Sequence, residues 1–153
     1  MPTINDKAPG FCLQSDSGEE YCLSEHAGQR VLLVFYPGDN TPVCTAQLCE
    51  YRDGIESFEG LGVSVVGISS DSLDSHQKFR DKHDLPFVLL SDPDLEVAKL
   101  YGVKGRFGMK RAVFLVDEKG VIRYAHIEAL ALFRRRADEL LEAIEALDEE
   151  GQA

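Results

Sequence analysis

The sequence predicts an α/β sandwich: a mixed central β-sheet flanked by helices, with a β-hairpin added at the N-terminal end. Three observations carry this reading. VLLVFYP at 31–37, GVSVVGISSD at 62–71 and FVLLSD at 87–92 are apolar runs of strand length without polar alternation, as expected of strands covered on both faces. Between them lie segments with helix start and stop signals. With 153 residues, 44% of them hydrophobic and 28% charged, the chain is long enough to bury a core without cross-links, and one domain is expected over 1–153.

Taken in order, FCLQSDSGEEYCLS (11–24) alternates apolar and polar residues around a Ser/Asp/Gly turn, the pattern of a hairpin. VLLVFYP then forms a strand closed by Pro37. The stretch PGDNTPVCTAQLC (37–49) opens a helix: a threonine hydroxyl at 41 can cap free amides, and proline at the first helical position needs no donor. After the strand in 62–71, LDSHQKFRDKH (73–83) reads as a helix. FVLLSD is a short strand, and DLEVAKLYG (94–102) a short helix ended by Gly102. AVFLVDEKGVIRYAHI (112–127) is a second hairpin around Asp117–Gly120. Phe133, Ala137, Leu140, Leu141, Ile144 and Leu147 then fall on one apolar face of a closing helix. Strands joined through helices run parallel and those joined by the last hairpin antiparallel, which makes the sheet mixed.

A formal net charge of -11 argues against nucleic acid and anionic lipid as partners, because both would need Lys and Arg to neutralise phosphate. No apolar run approaches the length of a membrane span. The segment MPTINDKAPGF lacks a charged-then-apolar secretory pattern, so the cytoplasm is the expected compartment, where thiols are kept reduced. Four cysteines there point to chemistry or to burial.

Cys44 falls at the third helical position. There the glutamate of a capping box would normally sit, near free amides and the positive end of the helix dipole. Such a setting favours the thiolate, the nucleophilic form, and nominates Cys44 as reactive rather than as a small buried hydrophobe. The strand end and helix start also place it at the carboxyl edge of the sheet, where open α/β folds bind ligands. Cys49 follows five residues later. In an intact helix the two Cα atoms stand about 8–9 Å apart, beyond the reach of about 7 Å for a disulfide. They can join only if the helix unwinds locally.

Zinc is the rival use of paired cysteines, but its pairs usually stand closer in sequence and come with a second pair. Cys12 and Cys22 could face each other across the hairpin if its turn spans Asp16–Gly18. In a reduced compartment, burial as free thiols is the expectation for both. His26, His76, His83 and His126 lack ligand spacing and read as surface or satisfied structure. GRFG at 105–108 lacks the pattern of a phosphate loop. No metal or organic cofactor is expected.

At this point FYPGDNTPVCTAQLC resembles the Tyr-Pro-x-x-x-Thr-Pro-x-Cys-Thr segment of the peroxiredoxins, thiol peroxidases with a thioredoxin-like fold. It is most similar to their Q type, also called bacterioferritin comigratory protein, with the second cysteine in register. GISSDS, LLSDPDLEVAKLYGV and RAVFLVDEKGVIR extend the likeness, in the family's order, over essentially the whole chain. The resemblance implies a thioredoxin-like three-layer sandwich. It implies Cys44 as the peroxidatic cysteine and Cys49 as the resolving one, Pro37 as shaping the pocket, and Thr41 as touching sulfur and peroxide. Arg111, just before AVFLVD, would be the catalytic arginine. Ala112 and Val113 stand where many Q-type members carry a threonine before the phenylalanine. The family further implies hydrogen peroxide and organic hydroperoxides as substrates, thioredoxin as reductant, and a monomer.

These residue types suit that chemistry. Thiolate attack on a peroxide oxygen needs a nucleophile and groups that stabilise charge spreading over both oxygens. Cys44 supplies the first, while Arg111, Thr41 and helix-start amides would supply the second. The resulting sulfenic acid condenses with a nearby thiol, and a dithiol reductant reopens the bridge. Two other readings stay open. A dithiol oxidoreductase of thioredoxin type would want Cys-x-x-Cys, which the chain lacks. A peroxide sensor or redox-regulated holdase would use Cys44 oxidation only to unwind a helix and expose a binding face.

Overall fold

The computed structural model describes residues 2–106, 108–128 and 136–152. The chain runs β1 (Cys12–Ser15), β2 (Glu20–Cys22), β3 (Arg30–Phe35), α1 (Pro42–Asp53), α2 (Ile55–Gly60), β4 (Val63–Ser69) and α3 (Leu73–His83). It continues through β5 (Leu89–Ser91), α4 (Glu96–Leu100), β6 (Lys104–Gly105), β7 (Gly108–Met109), β8 (Ala112–Val116), β9 (Ile122–Ile127) and α5 (Ala137–Gln152). One sheet has the order β2-β1-β5-β4-β3-β8-β9, and β6 and β7 pair separately. Strands β3, β4 and β5 are parallel; β8 is antiparallel to β3 and β9, and the β1–β2 hairpin adds antiparallel to β5. The sheet is therefore mixed, as the order of elements predicts. None of the described helices is long and apolar enough to cross a membrane.

Strand alternation divides the interior in two. Val31, Leu33 and Phe35 of β3 join Val66, Ile68 and Phe114 on one face, under Val97, Ala98 and Tyr101 of the α4 region. Leu32 and Val34 point the other way with Val65, Val113 and Leu115. There they meet Leu48 and Tyr51 of α1, Phe58 of α2, Phe79 of α3, and Leu140 and Ile144 of α5. That period of two explains why the runs are continuously apolar: each face has its own cover. Truncating a fully buried leucine such as Leu48 to alanine costs about 2–5 kcal/mol in such a setting.

Local signals set most boundaries. Helix α3 starts at Ser72, whose hydroxyl oxygen accepts from the Ser75 amide at 3.1 Å, and ends at Asp84 in the left-handed region, φ 50°. The helix read from PGDNTPVCTAQLC stops at Gly54, and a separate short helix, α2, follows. Gly67 of β4 serves close packing. A Cβ there would lie 2.7 Å from Leu89 Cδ2 and 3.3 Å from the Tyr36 ring. Of the apolar face expected for the closing helix, Ala137, Leu140, Leu141, Ile144 and Leu147 pack on the second cluster, while Phe133 lies outside the described residues.

Cys12 and Cys22 differ from expectation. They are bonded to each other, with Cα atoms 4.1 Å apart, and only Cys22 is buried. The reason lies in the register. Ser15 N–H donates to Glu19 O (2.9 Å) and Leu23 N–H to Phe11 O (3.0 Å). Hydrogen-bonded pairs alternate with close, non-hydrogen-bonded pairs along an antiparallel ladder, so Cys12 and Cys22 fall on the latter. The turn that fixes this register is the three-residue loop Asp16–Gly18, with Gly18 at φ 89°.

Candidate active site

Strand β3 delivers the chain to the site. After Tyr36, Pro37–Asn40 turn the backbone, with Asn40 at φ 63°, and Thr41 in extended geometry precedes Pro42 at the start of α1. This is the helix entry that Thr-Pro predicts. The cap differs in detail. The Thr41 side chain makes no capping bond; its hydroxyl donates backwards to the Gly38 carbonyl at 3.0 Å. That bond folds the 38–41 loop on itself. The first amides of a helix have no intrahelical acceptor, and the Thr41 side chain does not take them.

Cys44 sits in the first turn of α1 and is fully buried. Arg111, immediately before β8 and 3% exposed, reaches it across the second core. Its Nη2 donates to Cys44 Sγ at 3.2 Å and its Nη1 to Gln47 Oε1 at 2.6 Å. Gln47 Nε2 in turn donates to the Tyr51 hydroxyl at 3.1 Å. Cys44, Gln47 and Tyr51 lie at spacings of three and four on one helix face, so successive turns of α1 present sulfur and amide to the guanidinium and place the Tyr51 phenol against the Gln47 amide. A buried guanidinium beside the sulfur is a fixed partner for negative charge arising there.

Of the residues nominated by sequence, Cys44 and Arg111 are therefore in direct contact. Pro37 and Thr41 occupy the loop that leads into α1, Pro37 partly covered and Thr41 exposed. Cys49 lies farther along the same unbroken helix, partly exposed, and both cysteines are free thiols. Gln47 and Tyr51 escaped the sequence reading, although the i, i+3 spacing of Gln47 from Cys44 was a usable signal. A second group also escaped it. Asp39, Tyr36 and His76 form a buried hydrogen-bonded cluster beneath the 37–41 loop.

A parallel-stranded core with a helix-start cysteine held against a buried arginine defines a thiol-based redox enzyme. Residues 4–125 match the AhpC/TSA family. The putative peroxiredoxin bcp of Coxiella burnetii is 47% identical over 127 residues, covering 78% of this chain and 84% of that protein. Peroxidoxin BcpB from Mycobacterium tuberculosis superposes with a TM-score of 0.87 at 30% identity, covering 96% of this chain and 99% of that one. A bacterioferritin comigratory protein from Xanthomonas campestris, solved in a study of its alkyl peroxide reduction, superposes with a TM-score of 0.82 at 28% identity over 90% and 91% of the two chains. The chain belongs to the AhpC/TSA family, as a peroxiredoxin of the Q, or bacterioferritin comigratory, type with the thioredoxin-like fold. It is a thiol-dependent peroxidase.

Proposed function

We propose that this peroxidase works through Cys44, supported by Arg111, Gln47, Thr41 and Pro37, and closes its cycle through Cys49. The Cys44 thiolate attacks one peroxide oxygen, the O–O bond breaks, and hydroxide or alkoxide departs and takes up a proton as water or alcohol. Sulfur is oxidised to sulfenic acid. Arg111 Nη2, 3.2 Å from the sulfur, is placed to stabilise charge on the reacting atoms, and Gln47 holds the other arm of the fork. Thr41 and the amides of the first turn align the peroxide, and Pro37 shapes the approach to them. The substrates proposed are hydrogen peroxide and organic hydroperoxides; the alkyl peroxide reduction named for the Xanthomonas campestris relative supports the latter.

The Cys49 thiol then attacks the sulfenic sulfur, forming a disulfide and releasing water, after α1 has unwound enough to bring the two within bonding range. An external dithiol reopens the bridge by exchange, and thioredoxin is the reductant proposed. A monomer acting as one domain over residues 1–153, in a cytoplasm that maintains such dithiols, completes the reading.

The contact of Arg111 with Cys44 carries this proposal. The experiment is peroxide consumption under thioredoxin, thioredoxin reductase and NADPH, comparing the native chain with Cys44→Ser. Turnover in the native chain and none in the variant is expected. Equal turnover in both would overturn the role of Cys44, and a single stoichiometric oxidation without turnover would favour the sensor reading.

A further inference from the structure

The loop that leads to Cys44 rests on a polar cluster that the chemistry above does not use. Asp39 is 9% exposed. Its Oδ1 accepts from the Tyr36 hydroxyl at 2.7 Å, and its Oδ2 lies 2.8 Å from both the Ser75 hydroxyl, which donates to it, and His76 Nδ1. His76 is wholly buried on α3, and its Nε2 is 2.9 Å from the Leu90 carbonyl oxygen of β5. A carbonyl can only accept, so Nε2 carries a hydrogen. The short contact between Nδ1 and Asp39 Oδ2 must then hold a second proton.

Two hydroxyl donors on the same carboxylate favour the ionised form of Asp39. Burial raises its pKa, but hydrogen bonds from His76, Tyr36 and Ser75 outweigh that and hold the carboxyl below its usual range. Burial first, and then the Asp39 charge, push the Tyr36 phenol well above its ordinary value, which keeps it a donor. The loop backbone is tied down as well. Asp39 N–H donates to Asp71 Oδ2 at 2.8 Å, and that oxygen also accepts from the Ser69 hydroxyl at 2.6 Å. The titratable groups facing the pair are thus the Asp71 carboxyl beyond β4 and the neutral Tyr36 phenol beyond β3, while Asp74 and Lys78 of α3 pair with each other on the exposed side. Asp39, Asp71 and His76 could in outline hold a cation, but these contacts already engage them with donors and with one another.

A buried polar pair adds little stability over apolar packing of the same volume, and this hydrogen-bonded pair ties elements together. Here it joins the loop before Cys44 to α3, and through His76 Nε2 to β5. We propose that His76 and Asp39 are positioning residues of the peroxidase reaction, holding the 37–41 loop and the first turn of α1 in the geometry for peroxide attack and opposing the unwinding that brings Cys44 to Cys49. The proposal rests on the reading of those two cysteines given above. Its balance is that of the two competing fates of the sulfenic acid. Condensation with Cys49 releases water and forms the disulfide, while a second peroxide oxidises it to sulfinic acid and releases water or alcohol.

The test separates the two nitrogens of His76. His76→Asn keeps an N–H donor near the Nδ1 position facing Asp39, and His76→Gln keeps one near the Nε2 position facing Leu90. The rates of Cys44 oxidation by hydrogen peroxide and of disulfide formation are followed by rapid quench and mass mapping. With His76→Gln, oxidation slows about tenfold, the effect of a lost charge-assisted bond, and disulfide formation accelerates. His76→Asn recovers both rates toward native values. A merely structural tie between α3 and β5 predicts the reverse order of rescue, and that result would overturn the proposal. Tyr36→Phe removes one donor to Asp39 while keeping the packed ring, and should move both rates in the same directions by a smaller factor. If it moves neither, the proposal fails even where the histidine variants do not fold. Absence of a Cys44–Cys49 disulfide in the native chain would sink the underlying reading. A normal native chain with unresponsive variants would sink only the positioning role.

Discussion

The molecule carries two cysteine pairs whose backbones treat them in opposite ways. In the N-terminal hairpin, Cys12 and Cys22 are ten residues apart in sequence, yet antiparallel register sets their Cα atoms 4.1 Å apart, and they are bonded. On α1, Cys44 and Cys49 are five residues apart on an unbroken helix, and both are free. A strand pair brings side chains together in the folded state itself. A helix separates residues five apart by about 8–9 Å, so bonding them requires loss of structure. On the cycle proposed above the difference divides their roles: the hairpin bond joins the two edge strands of the sheet, β1 and β2, and bonding the helical pair would couple a covalent change to a conformational one.

The largest effect is expected on the helical side. Cys44→Ser should abolish peroxide turnover, whereas a Cys12→Ser/Cys22→Ser double variant should turn over normally; loss of turnover in the latter would break the division of roles. Cys49→Ser comes next. Its Cys44 should still be oxidised once by peroxide, but the cycle should stall and sulfinic acid accumulate, as read by intact mass. Arg111→Ala should lower kcat/KM about 10²–10³-fold, as loss of a preorganised charge-stabilising donor does, without preventing folding by circular dichroism. An unchanged kcat/KM would make the Arg111 contact structural only.

The smaller effects belong to stability. Removing the Cys12–Cys22 bond, which closes a short loop, should lower unfolding free energy by about 2–3 kcal/mol in chemical denaturation. Asp39 offers a weaker signal with a definite sign. Its carboxyl is held below its ordinary value of 3.8 in the folded state, so it contributes stability above that pH and loses the contribution as pH falls through the lower folded value. Asp39→Asn should therefore flatten the decline in stability below about pH 4.

Much of this was legible in the sequence because it was local. The apolar runs of β3, β4 and β5, the bounds of α3 between Ser72 and Asp84, and the helix entry at Thr41–Pro42 each follow from signals within a few residues. Cys44 could be nominated from its local setting and Arg111 from the family resemblance alone; their meeting at 3.2 Å joins residues 67 positions apart. What escaped was non-local or conditional. The Cys12–Cys22 bond depends on the register set by Asp16–Gly18, and the expectation of reduced, buried thiols pointed the other way. The Thr41 hydroxyl had two acceptable uses, and the loop geometry chose the Gly38 carbonyl over the helix amides. His76 read as satisfied structure, which it is. Its partner Asp39 lies 37 positions away, on the loop before Cys44, and only the fold brings them together.

The most direct test of the two-pair account adds one equivalent of hydrogen peroxide to protein whose Cys44 and Cys49 are thiols and whose hairpin bond is intact, followed by rapid quench and mass mapping of each cysteine. The account predicts a prompt Cys44–Cys49 disulfide with Cys12–Cys22 unchanged. A Cys44 that reacts no faster than Cys49, or that pairs with a hairpin cysteine, would contradict it.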